Sequence, residues 1–373
     1  MSLSIGIVGL PNVGKSTLFN ALTKKSVPAQ NYPFCTIDPS VGVVAVPDTR
    51  LQKLTEFSKS AKTIPAAIEF VDIAGLVKGA SEGEGLGNKF LANIREVDAI
   101  AEVVRIFSAG GGSASGGEVI HVYGDINPVR DVEVVEMELI LADLQTVTKR
   151  IANLNKEVKK GDKEAIFEQE ALMKLEKVFQ DGKLASSLEI SEKEMAVIKL
   201  LNLLTIKPIF YVLNKKAGGK NLDEMNDERY VRLLDFLNSS GAKWVLVDAG
   251  IEQELKDLSM EEKKEFRDGL TGAEDDGIDN LIKKGYELLN LITYFTTGED
   301  ETRAWTIKQN STAPEAGMAI HTDFKDKFIR AEVINWQDLL TAGSYAKARE
   351  KGLVRTEGKE YVVQDGDVIE FKI

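Results

Sequence analysis

The amino-acid sequence predicts an α/β fold: a mostly parallel sheet, interrupted by a helical arm and followed by a small β-rich module. Three observations carry this. First, the buried, β-branched run Leu3-Ser4-Ile5-Gly6-Ile7-Val8 leads into the glycine loop Gly9-Leu10-Pro11-Asn12-Val13-Gly14-Lys15-Ser16-Thr17. That loop opens into Leu18-Phe19-Asn20-Ala21-Leu22-Thr23 at helical spacing. Second, apolar residues recur at helical period, with charges between them, from Asp131 to about Leu204. Third, beyond Gly298 the segments become short and β-rich, and residues 303–373 carry 11 Lys+Arg against 11 Asp+Glu, so the net charge of −12 lies in the rest of the chain.

Strand, glycine loop and helix together form the context that a phosphate-binding loop (P-loop) needs. Successive backbone N–H groups of such a loop point into one anion-binding concavity, and the following helix adds its positive end. Lys15 is expected at the β- and γ-phosphates, and the Ser16 hydroxyl on Mg²⁺.

The chain's 373 residues exceed one ordinary domain. A net charge of −12 excludes an overall basic field that would draw the protein to nucleic acid, while a local basic face stays open. The single cysteine, Cys35, excludes an internal disulfide framework and suits a reducing compartment. No apolar run reaches membrane-spanning length, and strand one begins too early for a signal peptide. The expectation is a soluble, cytoplasmic protein.

In chain order, Ala29–Pro39 reads as a loop with two prolines. In nucleotide switches such a loop offers a threonine hydroxyl to Mg²⁺, and Thr36 is the candidate. Val41–Val46 reads as strand two and Ala66–Asp72 as strand three, which ends in Asp72-Ile73-Ala74-Gly75. An aspartate at the carboxyl end of a parallel strand sits where α/β sheets bind ligands. Asp72 is expected to hold Mg²⁺ through water, with the Gly75 N–H sensing the γ-phosphate. Leu76 follows, where small GTPases carry a glutamine that orients the attacking water; an apolar side chain cannot do that.

Asp98–Phe107 reads as strand four, and Ser108–Gly117 as a glycine- and serine-rich loop. His121 follows among apolar residues. Both a structural histidine and a water-positioning group fit there, the second because the glutamine is absent. The helical insertion contains a capping box at Ser191 and Glu194. Its two readings, a solvated arm and a partner-binding arm, are equally open.

The sheet resumes at Pro208–Leu213, ending in Asn214-Lys215-Lys216-Ala217. Guanine-specific GTPases place Asn-Lys-x-Asp here, and the aspartate reads the guanine ring N–H and amine. Ala217 lacks that acid. Asn214 and Lys215 still suit a purine, so the sequence argues against strict GTP specificity without establishing ATP. Trp244–Ala249 reads as strand six, whose following loop closes over the base, and Asp279–Phe295 as a closing helix. Ala304–Ile307, Phe328–Ile334, Tyr361–Val363 and Val368–Phe371 read as strands of a ubiquitin-like module.

Along nearly its whole length the sequence resembles the YchF family, called Obg-like ATPases in eukaryotes, a branch of the Obg-related P-loop proteins. The residues that carry the resemblance are Gly9–Thr17, Asn31-Tyr32-Pro33-Phe34-Cys35-Thr36, Asp72-Ile73-Ala74-Gly75-Leu76-Val77, Thr302–Thr306 and Ala313-Pro314-Glu315-Ala316-Gly317. The resemblance implies a G domain over 1–130 and 205–298, a coiled-coil insertion over 131–204 and a C-terminal TGS domain over 302–373. It implies ATP hydrolysis and ribosome association; the arm and the TGS domain also fit contact with RNA.

Carried over by residue, Asn12, Val13, Gly14, Lys15, Ser16 and Thr17 contact phosphates, and Ser16 and Thr36 hold Mg²⁺. Asn12 matches an asparagine that supports K⁺ in potassium-activated relatives. His121 matches the family's hydrolytic histidine, and Lys215 falls where the family's backbone reads the base. The family usually has Asn-x-x-Glu where this chain ends in Ala217. GTPase or dual-specificity activity, and an RNA- or ribosome-binding regulator with nucleotide acting only as a conformational switch, are the competing expectations.

Overall fold

Fourteen strands of the described residues fall into two six-stranded sheets and one two-stranded ribbon. They are β1 (Ser4–Val8), β2 (Val41–Ala45), β3 (Lys62–Ile64), β4 (Ala67–Asp72), β5 (Ala99–Arg105), β6 (Phe107–Ser108), β7 (Ile209–Asn214), β8 (Lys220–Asn221), β9 (Lys243–Val247), β10 (Leu291–Thr297), β11 (Glu301–Lys308), β12 (Arg330–Asn335), β13 (Arg355–Glu357) and β14 (Asp367–Lys372). The structure is a computed structural model that describes residues 3–23, 40–73, 86–108, 126–216, 219–255, 262 and 277–373. Thr36, Gly75, His121 and Ala217, as well as Cys35, Leu76 and residues 109–117 of the glycine-serine stretch, lie outside the described residues.

The first sheet runs β2-β4-β1-β5-β7-β9, parallel throughout except for β2. Its central strands are apolar on both faces because helices cover both. Every residue of β1 and β5 is buried. Helix α1 (Lys15–Leu22) follows the glycine loop, α2 (Thr49–Ser58) follows β2, and α3 (Leu86–Glu96) precedes β5.

The 32-residue α4 (Pro128–Lys159) starts with Pro128 at its first turn and the Asn127 side chain as cap. Its first turns belong to the sheet: Val135, Leu139 and Ala142 join the main core. Farther along, Val147 and Leu154 pack with Leu172, Leu175 and Phe179 of α5 (Lys163–Gln180) in a separate core. The hairpin is laced by Arg150 to Glu168 at 2.6 Å and Gln169 to Asn155 at 3.1 Å. At its root, fully buried Asp143 accepts from the backbone N–H groups of Leu204 and Thr205 at 3.0 and 2.8 Å. The returning chain is thereby tied to α4.

The capping box at Ser191 and Glu194 opens α6 (Glu192–Ile198). The helix expected to run on to Leu204 instead gives way to a 3₁₀ turn and stops at Asn202, whose φ of 48° no helix continues. Helices α7 (Glu228–Ser239), α8 (Ala249–Glu254) and α9 (Gly277–Leu288) complete the first layer.

The expected closing helix over Asp279–Phe295 is corrected. Helix α9 ends at Leu288, Asn290 turns the chain at φ 51°, and Leu291–Thr297 is strand β10, a β-branched and aromatic run that suits a sheet. The second sheet runs β13-β12-β14-β10-β11-β3. It therefore begins before residue 298 and takes its edge strand from the middle of the N-terminal half: Lys62–Ile64 pairs with Glu301–Arg303. So short a strand carries no periodicity to read. The C-terminal part also holds four short helices, α10 (Ala313–Gly317), α11 (Asp323–Asp326), α12 (Trp336–Ala342) and α13 (Tyr345–Glu350), so it is less β-rich than expected. Tyr361–Val363 supplies an isolated bridge, Thr312 to Val362, not a strand. The two sheets share one apolar core, in which Phe295, Ile334 and Val368 pack with residues of α2 and α9. Arg50 of α2 seals the junction, paired with Asp48 and Asp365 and lying 5.2 Å over the Phe295 ring.

One group inside the sheet layer is costly. Glu102 of β5 is 1 % exposed, and its Oε2 has no hydrogen-bond partner. Burial, then the charges of Glu136 and Asp131 on α4, push its carboxyl well above the ordinary range. Glu136 itself accepts from the Tyr211 hydroxyl of β7 at 2.5 Å. Because the folded pKa is raised, the penalty is absent below the unfolded value and grows as pH climbs toward the folded one. A Glu102→Gln variant is expected to unfold at higher temperature than the parent at neutral pH, by on the order of 1 kcal/mol. That gain should vanish near pH 4. Melting curves at the two pH values check this, and a difference independent of pH overturns it.

Candidate nucleotide site

The glycine loop turns because two of its residues adopt backbone that ordinary side chains resist. Gly9 has φ 146°, and a Cβ there would lie 2.6 Å from the Val103 carbonyl oxygen of the neighbouring strand. Gly14, at φ 100° and ψ 16°, caps α1, and a Cβ there would lie 2.3 Å from Asn214 Nδ2. Asn12 also takes a left-handed conformation, φ 64°, one that asparagine tolerates better than most. Lys15 and Ser16 thus stand at the first turn of a helix whose N-terminus carries no side-chain cap.

Lys15 is buried, and its Nζ donates to the Leu10 carbonyl at 2.7 Å. Burial lowers its pKa to about 8, and the opposing charge of Asp72 offsets only part of that. Asp72 closes β4 in register with Ile7 of β1, and its backbone N–H donates to Ser40. Loop lysine and strand-end aspartate therefore lie close enough for their charges to interact. Ser16 is exposed. Among the described residues no group of three or more His, Cys, Asp or Glu could hold a metal ion. That donor set, one hydroxyl and one carboxylate, suits a hard cation that keeps waters and takes most of its ligands from phosphates.

Beside the loop lies a cavity of about 370 Å³ lined by Asn12, Gly14, Thr17, Phe107, Asn214, Lys215, Lys216, Asp248, Ala249, Gly250, Ile251 and Glu254. Asn214 is 3 % exposed and serves as the tie between its walls. Its Nδ2 donates to the Val13 carbonyl at 2.8 Å, and its Oδ1 accepts from the Ala249 N–H at 3.1 Å. One amide at the end of β7 therefore joins the phosphate loop to the turn after β9. Asp248 accepts from the N–H groups of Gly250 and Ile251, which starts α8 at the cavity edge. This turn is the loop expected to close over a base. Phe107 and Glu254 were not expected; a phenylalanine ending an apolar strand and a glutamate on a helix carry no signal in sequence. Asn12, Gly14, Thr17, Asn214 and Lys215 are brought together at the cavity, with Lys15, Ser16 and Asp72 beyond the loop. Val13 is buried and contributes its carbonyl.

Comparisons with known proteins agree along the whole chain. The family model described as a 50S ribosome-binding GTPase matches residues 4–142. The C-terminal model of the YchF-type GTPases, described as a protein of unknown function, matches 291–373. The Ribosome-binding ATPase YchF of Bacillus subtilis is 52 % identical over 372 residues, covering 100 % of this chain and 99 % of its own. That of Escherichia coli O157:H7 is 47 % identical over 371 residues, with the same coverage of both chains. The solved structure of the Schizosaccharomyces pombe YchF GTPase superposes with a TM-score of 0.85 at 38 % identity, covering 100 % of this chain and 98 % of that one. With the phosphate loop, the strand-end aspartate and the C-terminal sheet all in place, the chain belongs to the YchF family.

Proposed function

We propose that this protein is an ATPase of the cytoplasm that hydrolyses ATP to ADP and phosphate and works on the ribosome. The observation that carries the reading is end-to-end identity of 52 % with a Ribosome-binding ATPase, combined with a phosphate loop of the required geometry. No helix among the described residues is long and apolar enough to cross a membrane.

In this reading the N–H groups from Asn12 to Thr17 and the Lys15 ammonium bind the β- and γ-phosphates. Ser16 and Thr36, with Asp72 through water, would hold Mg²⁺, which when bound would supply neutralising charge at the phosphates. Lys15 stabilises the charge that develops as the γ-phosphoryl leaves the β-phosphate oxygen. The Gly75 N–H reports the γ-phosphate, and His121 positions the attacking water in place of the missing glutamine. Asn12 is the residue that would support K⁺. Asn214 and Lys215 line the base cavity. The domains are 1–130 with 205–290, the arm 131–204 and the TGS domain 291–373, since β10 belongs to the C-terminal sheet; arm and TGS domain are the surfaces offered to ribosomal RNA.

A His121→Ala variant is expected to lose about 100-fold or more of its turnover with little change in ATP affinity, the loss typical of a general base or water-orienting group. Steady-state phosphate release beside equilibrium ATP binding measures both; unchanged turnover removes His121 from the mechanism. Pelleting with ribosomes in ATP and ADP tests the partner, and absence of pelleting in both overturns it.

A second reading, hydrolysis of GTP, is favoured by the Asn214-Lys215 pair and by the S. pombe relative's description as a GTPase. Competition of ATP against GTP for the purified protein with Mg²⁺ separates the two.

A further inference from the structure

Lys215 lines the cavity, yet its ammonium is already engaged. Its Nζ lies 2.9 Å from Asp223 Oδ2 and 2.6 Å from Glu224 Oε1. These acids are mounted on the scaffold of the cavity. Glu224 Oε2 accepts from Asn221 Nδ2 at 3.1 Å, and Asn221 holds the Lys216 backbone at both ends, accepting from its N–H at 3.0 Å and donating to its carbonyl at 3.1 Å. Asn221 is 2 % exposed and sits on β8, which pairs with Phe107 and Ser108 where β5 runs out. The second oxygen of Asp223, Oδ1, is buried with no hydrogen-bond partner, so the lysine is the compensation its charge has.

The arrangement has a consequence for the ligand. With its ammonium turned to two carboxylates, Lys215 offers the cavity its methylene stem, an apolar wall on which a planar base packs. Guanine carries a carbonyl acceptor at position 6, whereas adenine carries an amine donor there. A free ammonium in the cavity would reward the carbonyl and repel the amine; a pinned one does neither.

We propose that Asp223 and Glu224 are positioning residues for base selection, which hold the Lys215 ammonium away from the cavity and so withhold a donor from guanine. Where the acid absent at Ala217 would select for guanine, an acid pair six and seven residues later acts through the lysine to select against it. This rests on the reading of the cavity as the base pocket.

The test uses the full chain. In Asp223→Asn/Glu224→Gln the side chains keep their shape and lose their charge. The ratio of GTP to ATP dissociation constants is expected to fall about three- to fivefold, the size of the effect one half-exposed ion pair commands. Turnover at saturating ATP should stay unchanged, because neither acid touches reacting atoms. Glu224→Gln alone should shift the ratio less, in the same direction, and it serves if the double variant folds poorly. Lys215→Ala removes the stem and should weaken both nucleotides. An unchanged ratio in the acid variants, with both nucleotides weakened by Lys215→Ala, overturns the proposal and leaves the pocket standing. Unchanged affinities in Lys215→Ala overturn the pocket reading, and the proposal with it.

Discussion

A Lys15→Met variant is expected to lose two to three orders of magnitude in kcat/KM, about 3–4 kcal/mol of transition-state stabilisation. Methionine keeps the length and apolar stem of the lysine and removes the charge, so the fold should survive. A second signature follows from the burial of this residue. Burial lowers the Lys15 pKa to about 8, while the unfolded chain keeps the ordinary 10.5. Below pH 8 both states are protonated, and the folded chain carries the whole cost of burying the ammonium. As pH rises through 8 the folded chain releases its proton first, so this group's contribution to stability improves until the unfolded value is passed. Phosphates reverse the balance, since they favour the ammonium. ATP binding at about pH 9 is therefore expected to take up a proton. Calorimetry in buffers of different ionisation enthalpy reads that uptake, and Lys15→Met should abolish it. Equal uptake in parent and variant would assign the proton elsewhere and refute the coupling.

How much of this was legible in the sequence depended on the range over which each feature is encoded. The glycine loop is local: strand, turn and helix occupy twenty consecutive residues, and the glycines at 9 and 14 are demanded by backbone conformation at those positions. The arm was legible because a long helical period is hard to mistake, and the capping box at Ser191 marks its own helix start. Its root was not, since Asp143 meets Leu204 and Thr205 from sixty residues away. The C-terminal sheet escapes the sequence at two strands, the edge strand β3 and the inner strand β10. Strand β3 is three residues long and finds its partner 239 residues later, while β10 follows so closely on α9 that helix and strand merge into one apolar run. In the site, Asn214 was visible as a motif, but its role as the tie between Val13 and Ala249 is a property of three segments meeting. Asp223 and Glu224 gave no sign at all; nothing in a charged loop says which lysine it will hold.

The tie also decides what Gly14 is for. Replacement by alanine is expected to cripple nucleotide binding by more than about 100-fold and to cost about 3–8 kcal/mol of local stability, from two sources that add. A non-glycine residue at φ 100° carries about 1–2 kcal/mol of backbone strain. The new Cβ would also sit 2.3 Å from Asn214 Nδ2, so the amide must leave. Its departure strands the Val13 carbonyl and the Ala249 N–H, each at about 1–3 kcal/mol when buried. Asn214→Ala isolates the second source, because it strands the same two groups with the loop backbone unstrained. The pair forms a cycle. Once Asn214 is alanine the clash is gone, and Gly14→Ala should cost only its backbone strain. The double variant is therefore expected to be less damaged than the sum of the singles by about 1 kcal/mol or more. Denaturant unfolding and ATP titration of the four proteins measure this. Strict additivity would mean that the amide and the glycine act independently, and that the phosphate loop is shaped by its own backbone without help from the base side of the site.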